Sequence, residues 1–260
     1  MKLSSTLPVL AVAFALSTPL ALIARADNDA KLPGGPTPDQ ATTAKLVYGL
    51  LSDSRYAYRP RALDDALSQD VYKRYLEALD PGKLFFTSQD IAGFAPYATK
   101  LDDAIKGGSM SAPYAMFAVY KQRVADRVGM ARRVLKQDKF DFAGNDRYEY
   151  DREDAPWADV ATLDKLWTQS VKNDWLRLKL AGKQPDEIRK TLDKRYANLV
   201  GSVDDLAGED VFQTFLNSYA MSIDPHTDYF NPRTAANFNL TMSLSLEGIG
   251  AVLQLSLIHI

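Results

Sequence analysis

From residue 37 to about 240, apolar residues recur every three or four positions, the spacing that lines one face of an α-helix. The first stripe opens on Thr37-Pro38-Asp39-Gln40, a threonine N-cap, a proline at the first helical position and a glutamine in capping-box order. Ala41, Ala44, Val47 and Leu51 follow. Leu63, Leu67, Val71, Tyr75 and Leu79 form a second stripe at steps of four, stopped by Asp80-Pro81-Gly82. Ile91, Phe94, Ala98, Leu101 and Ile105 predict a third helix, capped by Thr87 or Ser88 and ended by Gly107-Gly108. Phe117, Tyr120, Val124, Val128, Ala131 and Leu135 lie on a fourth, opening at Ser111 with Pro113 in its first turn.

The pattern lapses from residue 137 to 161, an acidic, aromatic, turn-rich stretch that reads as an ordered loop. Helical spacing resumes with Leu163, Leu166, Trp167, Val171, Trp175 and Leu178, and runs until Gly182. Pro185 opens another helix with Ile188, Leu192, Leu199, Val203 and Leu206 facing inward, and Val211, Phe212, Phe215, Leu216 and Tyr219 mark a last one. Aromatic stripes at this spacing are core rather than a ligand groove. Near residue 242 the period changes: Met242, Leu244 and Leu246 alternate as on a strand, and Gly248-Ile249-Gly250 follows.

The N-terminus departs from this plan. Lys2 precedes an apolar stretch from Leu7 to Ile23 and then Ala24-Arg25-Ala26, the layout of a secretory signal cleaved after Ala26. Pro8 and Pro19 cut the uninterrupted apolar run well below the about 20 residues that a membrane-spanning helix needs. Residues 27–36, rich in proline and glycine, form a linker. The expected mature protein is therefore exported, with no membrane span.

Composition narrows the function classes. The 31 Lys and Arg nearly balance the 33 Asp and Glu, so nucleic acid is not an expected partner. Without cysteine there is no disulfide, thiolate metal site or thiol nucleophile. The two histidines, His226 and His259, have no second imidazole at metal-ligand spacing, so neither metal nor other cofactor is expected. Ser170 and Lys172, two residues apart on a helix, point to different faces. Asp151, Glu153 and Asp154 cluster in the loop without a cleft in view, and Arg132-Arg133 reads as a solvated face. In "SIDPHTDYFNPR", Asp224 can close an Asx turn, and His226 is a turn residue more readily than a general base. No catalytic residue is expected within the chain.

Several phrases resemble the C-terminal processing (tail-specific) peptidases, in their large periplasmic branch: "RYLEALDPGKLFF", "FDFAGNDRYEYDREDAPW", "LKLAGKQPDEIRKTLDKRY", "EDVFQTFLNSYAMSIDPHT" and, most specific, "DPHTDYFNPRTAANFNLTMSLSLEGIGAVLQ". The resemblance implies a mainly α, multi-helix N-terminal domain over 37–240, then the first strands of a PDZ domain over 241–254. A serine protease domain with a Ser-Lys dyad would lie beyond the chain. It also implies C-terminal tails of exported proteins as substrates and a lipoprotein adaptor as a partner. Gly248-Ile249-Gly250-Ala251 would then be the loop whose backbone N–H groups hold a peptide's terminal carboxylate, with Val252-Leu253-Gln254 beginning the strand that pairs with the peptide. A plain β-turn is the other reading of those glycines.

The resemblance stops at Gln254. Leu255 to Ile260 match one frame of a transposon sequencing adapter, so these six residues are expected to be read-through and the chain the front of a longer protein. Two functions stay open on the sequence: the N-terminal part of a periplasmic serine endopeptidase, or a stand-alone helical binding or adaptor module.

Overall fold

The computed structural model describes residues 34–137 and 140–243. The N-terminal apolar stretch, Leu244, Leu246, the glycine loop at 248–251 and residues 255–260 lie outside them. The described part is helical. In chain order it holds α1 (Pro38–Ser52), α2 (Asp65–Leu79), α3 (Ser88–Phe94), a 3-10 turn (Ala95–Tyr97), α4 (Leu101–Gly107), α5 (Ser111–Gln137), α6 (Val160–Leu180), α7 (Pro185–Asp204), α8 (Gly208–Ile223) and α9 (Pro232–Met242). None of these helices is long and apolar enough to cross a membrane.

Helix starts follow local chemistry. Thr37 caps α1 through the Gln40 N–H at 3.2 Å while Gln40 returns to the Thr37 N–H at 2.9 Å, the reciprocal box the sequence predicts. Thr87 and Asp90 repeat the arrangement at α3. Asp64 and Asp159 cap α2 and α6, so α6 opens three residues before the first core position of its stripe.

The stripe from Ile91 to Ile105 is not one helix. Pro96 has no N–H to give and its ring crowds the preceding turn, so α3 ends at Phe94 and tightens into the 3-10 turn. The chain restarts as α4 without a side-chain cap of its own. Instead the buried Ser68 hydroxyl, on α2, accepts the Leu101 N–H at 3.0 Å. A residue distant in sequence starts this helix. α4 closes on Gly108, whose φ of 75° puts it in the left-handed region, and an added Cβ there would lie 2.9 Å from the Lys45 side chain and 3.2 Å from the Ala41 Cβ. Only glycine lets α4 lie this close to α1.

The helices form two groups. α5, α6 and α7 pack on one another; α2 packs on α8 and α4, and α1 on α4 and α8; α5 against α8 joins the two. The second stripe is buried over its whole length, from Leu63 to Leu79, and Tyr75 meets Phe215 of α8 edge to face at 5.5 Å. Phe117, Val124, Val128, Ala131 and Leu135 of α5, with Trp167, Val171 and Trp175 of α6, fill the other half. Tyr196, Phe86, Met110 and Met116 also belong to the core, though the stripes did not include them. Leu206 lies past the end of α7 and is only half-buried. Met242 ends α9 rather than opening a strand, because the Asn231 cap and Pro232 have already set a helical register there.

Candidate functional site

Residues 140–159 have no helix or strand, yet they are held in place by the turn that follows α2. The Asp80 carboxylate is almost wholly buried and accepts three consecutive backbone N–H groups: Leu84 at 2.8 Å, Phe85 at 2.9 Å and Phe86 at 2.9 Å. Burial pushes this carboxyl above its ordinary range, although the three amides and Arg152 act against that. The turn so fixed directs Phe85 toward Tyr120 and Trp167, and Phe86 toward Phe94, Tyr120 and Trp157.

The loop then closes over this turn. Arg152 donates to the Gly82 carbonyl at 3.2 Å, Lys83 donates to the Glu153 carbonyl and lies 5.6 Å from the Trp157 ring, and the Ser88 N–H donates to Ala158 at 2.8 Å. The Trp167 indole N–H donates to Leu84 at 2.8 Å from the other side. Parts of two phrases singled out in the sequence, "LDPGKLFF" and "DREDAPW", are therefore one structural joint. The side chains of Asp80, Lys83 and Arg152 are committed to holding backbone.

The other sequence candidates separate. His226 is at the surface, with a side chain 90% exposed, and its N–H and ring Nδ1 both face Asp224 Oδ1, at 3.0 Å and 3.2 Å. Asp224 thus closes the expected Asx turn, and the His226 N–H, first among its partners, holds its carboxyl below the ordinary value. Lys172 pairs with Asp146 at 2.6 Å instead of with Ser170. Asp151 and Asp154 edge an open cleft with Glu149 and Arg152. Among the described residues no three acidic or histidine side chains converge as a metal site would require. Arg132 is not merely solvated: it reaches from α5 to Asp193 of α7 at 2.7 Å, although both side chains stay partly exposed.

A cleft of about 690 Å³ lies between the start of α1, the α7–α8 turn and residues 229–233. Gln40 crosses its base, donating to Glu209 at 2.6 Å while its carbonyl accepts the buried Tyr114 hydroxyl at 3.0 Å; that hydroxyl also reaches the Gly208 carbonyl at 3.1 Å. Burial and the charge of Glu209 push Tyr114 upward, so it stays a neutral donor. Asp210 holds the Ala207 N–H at 2.9 Å and Arg233 at 3.3 Å. The carboxylates of Glu209 and Asp210 sit in the first turn of α8, where the helix dipole favours negative charge. Among the described residues that line the cleft, no nucleophile stands beside a base; the cleft's hydrogen bonds tie α1, α8 and the lead into α9 together. The sequence showed Gln40 as a cap and gave no sign of its second partner, 169 positions away.

The chain matches the family model described as the tail specific protease N-terminal domain over residues 50–233. It is also 35% identical, over 254 residues, to the tail-specific protease of Haemophilus influenzae; the alignment takes in 97% of this chain and 35% of that protein. The chain thus spans about a third of the length of the curated relative it matches.

Proposed function

This chain belongs to the tail-specific protease family through that family's N-terminal domain, and we propose that it is the front part of a periplasmic serine endopeptidase acting on apolar C-termini of exported proteins. The observation that carries the reading is the family match, which runs from the end of α1 through α8 to the start of α9. The structure is compatible with a scaffold role: the conspicuous polar side chains of this body, Asp80, Gln40 and Ser68, are engaged in caps and joints.

In this reading residues 1–26 direct export and are removed after Ala26, residues 27–36 are a linker, and residues 241–254 open a PDZ domain. Its Gly248-Ile249-Gly250-Ala251 loop receives a substrate's terminal carboxylate, because consecutive backbone N–H groups turned inward form an anion-holding concavity. The nucleophilic serine and its lysine base lie in chain beyond Gln254, and the helical body holds the PDZ and protease modules in register. A lipoprotein adaptor is the expected additional partner.

The test is a pair of proteins, residues 27–254 and the product of the same gene extended downstream, given one substrate with an apolar tail and one with a charged tail. The extended protein should cut the apolar-tailed substrate selectively and the short one should cut neither. Cleavage by the short protein that disappears on replacing one of its serines would overturn the reading. An extended protein that binds other proteins and cuts none would favour the adaptor function instead.

A further inference from the structure

The clefts of this body differ in charge. The one beside α1 and α8 has Asp39, Asp205, Glu209 and Asp210 on its walls, and the one at Arg152 has Glu149, Asp151 and Asp154. A third, of about 550 Å³, opens where α6 hands over to α7, and none of the described residues lining it is acidic.

The floor of this cavity is apolar, since Trp175 of α6 and Ile188 of α7 are both buried in the core. Phe140 and Phe142, from the segment that precedes α6, form one side. The Phe140 ring lies 5.2 Å from Trp175 and 6.2 Å from Phe142. The mouth carries Lys179 and Lys183. Lys183 is neutralised by Glu187, and Lys172, which also faces the Phe142 ring at 5.7 Å, by Asp146. The exposed Lys179 lies 5.1 Å from that ring and has no carboxylate partner among the described residues. The cavity thus joins an aromatic surface to one uncompensated positive charge.

We propose that it binds an apolar monocarboxylate, with the hydrocarbon part against Trp175, Ile188, Phe140 and Phe142 and the carboxylate on the Lys179 ammonium. The size suits such a ligand, because pockets for small organic molecules run from about 300 to about 1,000 Å³. A single free ammonium matches a monoanion better than a phosphate dianion, and the aromatic lining favours an apolar body. Two sources share this chemistry: a free aromatic or aliphatic acid, and the last residue of a polypeptide with an apolar tail. The inference rests on the lining of the cavity and not on the proposed proteolysis.

The test is an NMR titration of the full chain with N-acetylphenylalanine and with acetyl-Ala-Ala-Phe, each as the free acid and as the C-terminal amide. The chain has three tryptophans and so three indole N–H signals, of which Trp175→Phe identifies one. At least one acid should move the Trp175 signal and leave those of Trp157 and Trp167 in place, and its amide should bind about tenfold more weakly. Lys179→Met should cause the same loss, whereas Lys165→Met, an exposed lysine near the start of α6, should not. Unmoved Trp157 and Trp167 signals show that each variant is folded. Tighter binding of the peptide assigns the cavity to chain ends, and tighter binding of the free acid assigns it to small molecules; either supports the inference. It is overturned if neither acid moves the Trp175 signal, if acids and amides bind alike, or if Lys179→Met leaves the affinity unchanged.

Discussion

The protein turns the same corner twice. α2 and α8, which pack against each other, both end in an aspartate followed by proline, Asp80-Pro81 and Asp224-Pro225. The backbones share φ and hydrogen bonds but not ψ: φ is −138° and −144°, ψ is 70° and 119°, the Asp N–H returns to Leu76 at 2.9 Å and to Ala220 at 3.0 Å, and the Asp carbonyl accepts Lys83 at 3.1 Å and Thr227 at 3.0 Å. The side chains part company. Asp80 is buried beneath three amides, while Asp224 remains partly exposed beside the free-standing ring of His226. What differs is how the following aromatics are seated: four to six residues past the aspartate the chain reads Leu84-Phe85-Phe86 in one case and Asp228-Tyr229-Phe230 in the other, and Phe86 is fully buried while Phe230 is exposed. At the first corner the amides of 84–86 turn onto the buried Asp80 carboxylate, whereas at the second the Tyr229 and Asn231 N–H groups are taken by Asn217 and Gln213 of α8. An Asp-Pro corner is a local device; whether it is a keystone depends on which groups take the amides downstream.

The largest expected effect comes from the indole that closes the first corner. Trp167→Ala should cost about 3–5 kcal/mol, read as a lower urea midpoint, because the side chain fills core between Phe85 and α5 and also holds the Leu84 carbonyl. Next, Asp80→Ala strands three inward-facing N–H groups and should cost about 2–4 kcal/mol, against less than about 1 kcal/mol for Asp224→Ala. Equal losses at the two corners would break the comparison.

Acid titration sharpens it, because the two carboxyls are displaced in opposite directions. Burial raises Asp80 above 3.8, so the native state holds that proton more tightly than the unfolded chain; this contribution is full below 3.8 and is lost as pH rises through the raised value. Asp224, lowered first by the His226 amide, contributes stability above 3.8 that is lost as pH falls through its lowered value. Between about pH 3 and about pH 6, the stability advantage of the parent over Asp80→Asn should therefore shrink as pH rises, and that over Asp224→Asn should grow. Parallel slopes would show that both aspartates occupy the same environment after all. Smallest of all, His226→Ala should change stability by no more than about 0.5 kcal/mol, since its ring touches little beyond Asp224.

Much of the helical body was legible along the chain, for a physical reason that varies from element to element. The Thr37–Gln40 box, the four-step stripe from Leu63 to Leu79 and the tryptophan stripe of α6 involve neighbours within a turn or two, so spacing and residue type suffice to place them. The stripe from Ile91 to Ile105 misled because its apolar positions keep helical period across Pro96, which the backbone cannot follow as one helix. Met242 misled for the opposite reason. Its alternation with Leu244 and Leu246 resembles a strand, but the cap at Asn231, eleven residues upstream, had already committed it to a helix.

The sequence by itself determined where helices can begin and end and which face of each is apolar, because caps, prolines, glycines and periodicity act through contacts between near neighbours. It also carried the phrases by which the family is recognised. Only the tertiary structure decided what those phrases are for. That Ser68 starts α4, that Gln40 reaches Glu209, and that Asp80 rather than Asp224 lies under a loop drawn from residues 152–158 are outcomes of which surfaces meet when the stripes are buried. Polar groups have partners everywhere in water. They acquire specific ones when burial removes the solvent, and that selection is made by the packing of distant segments.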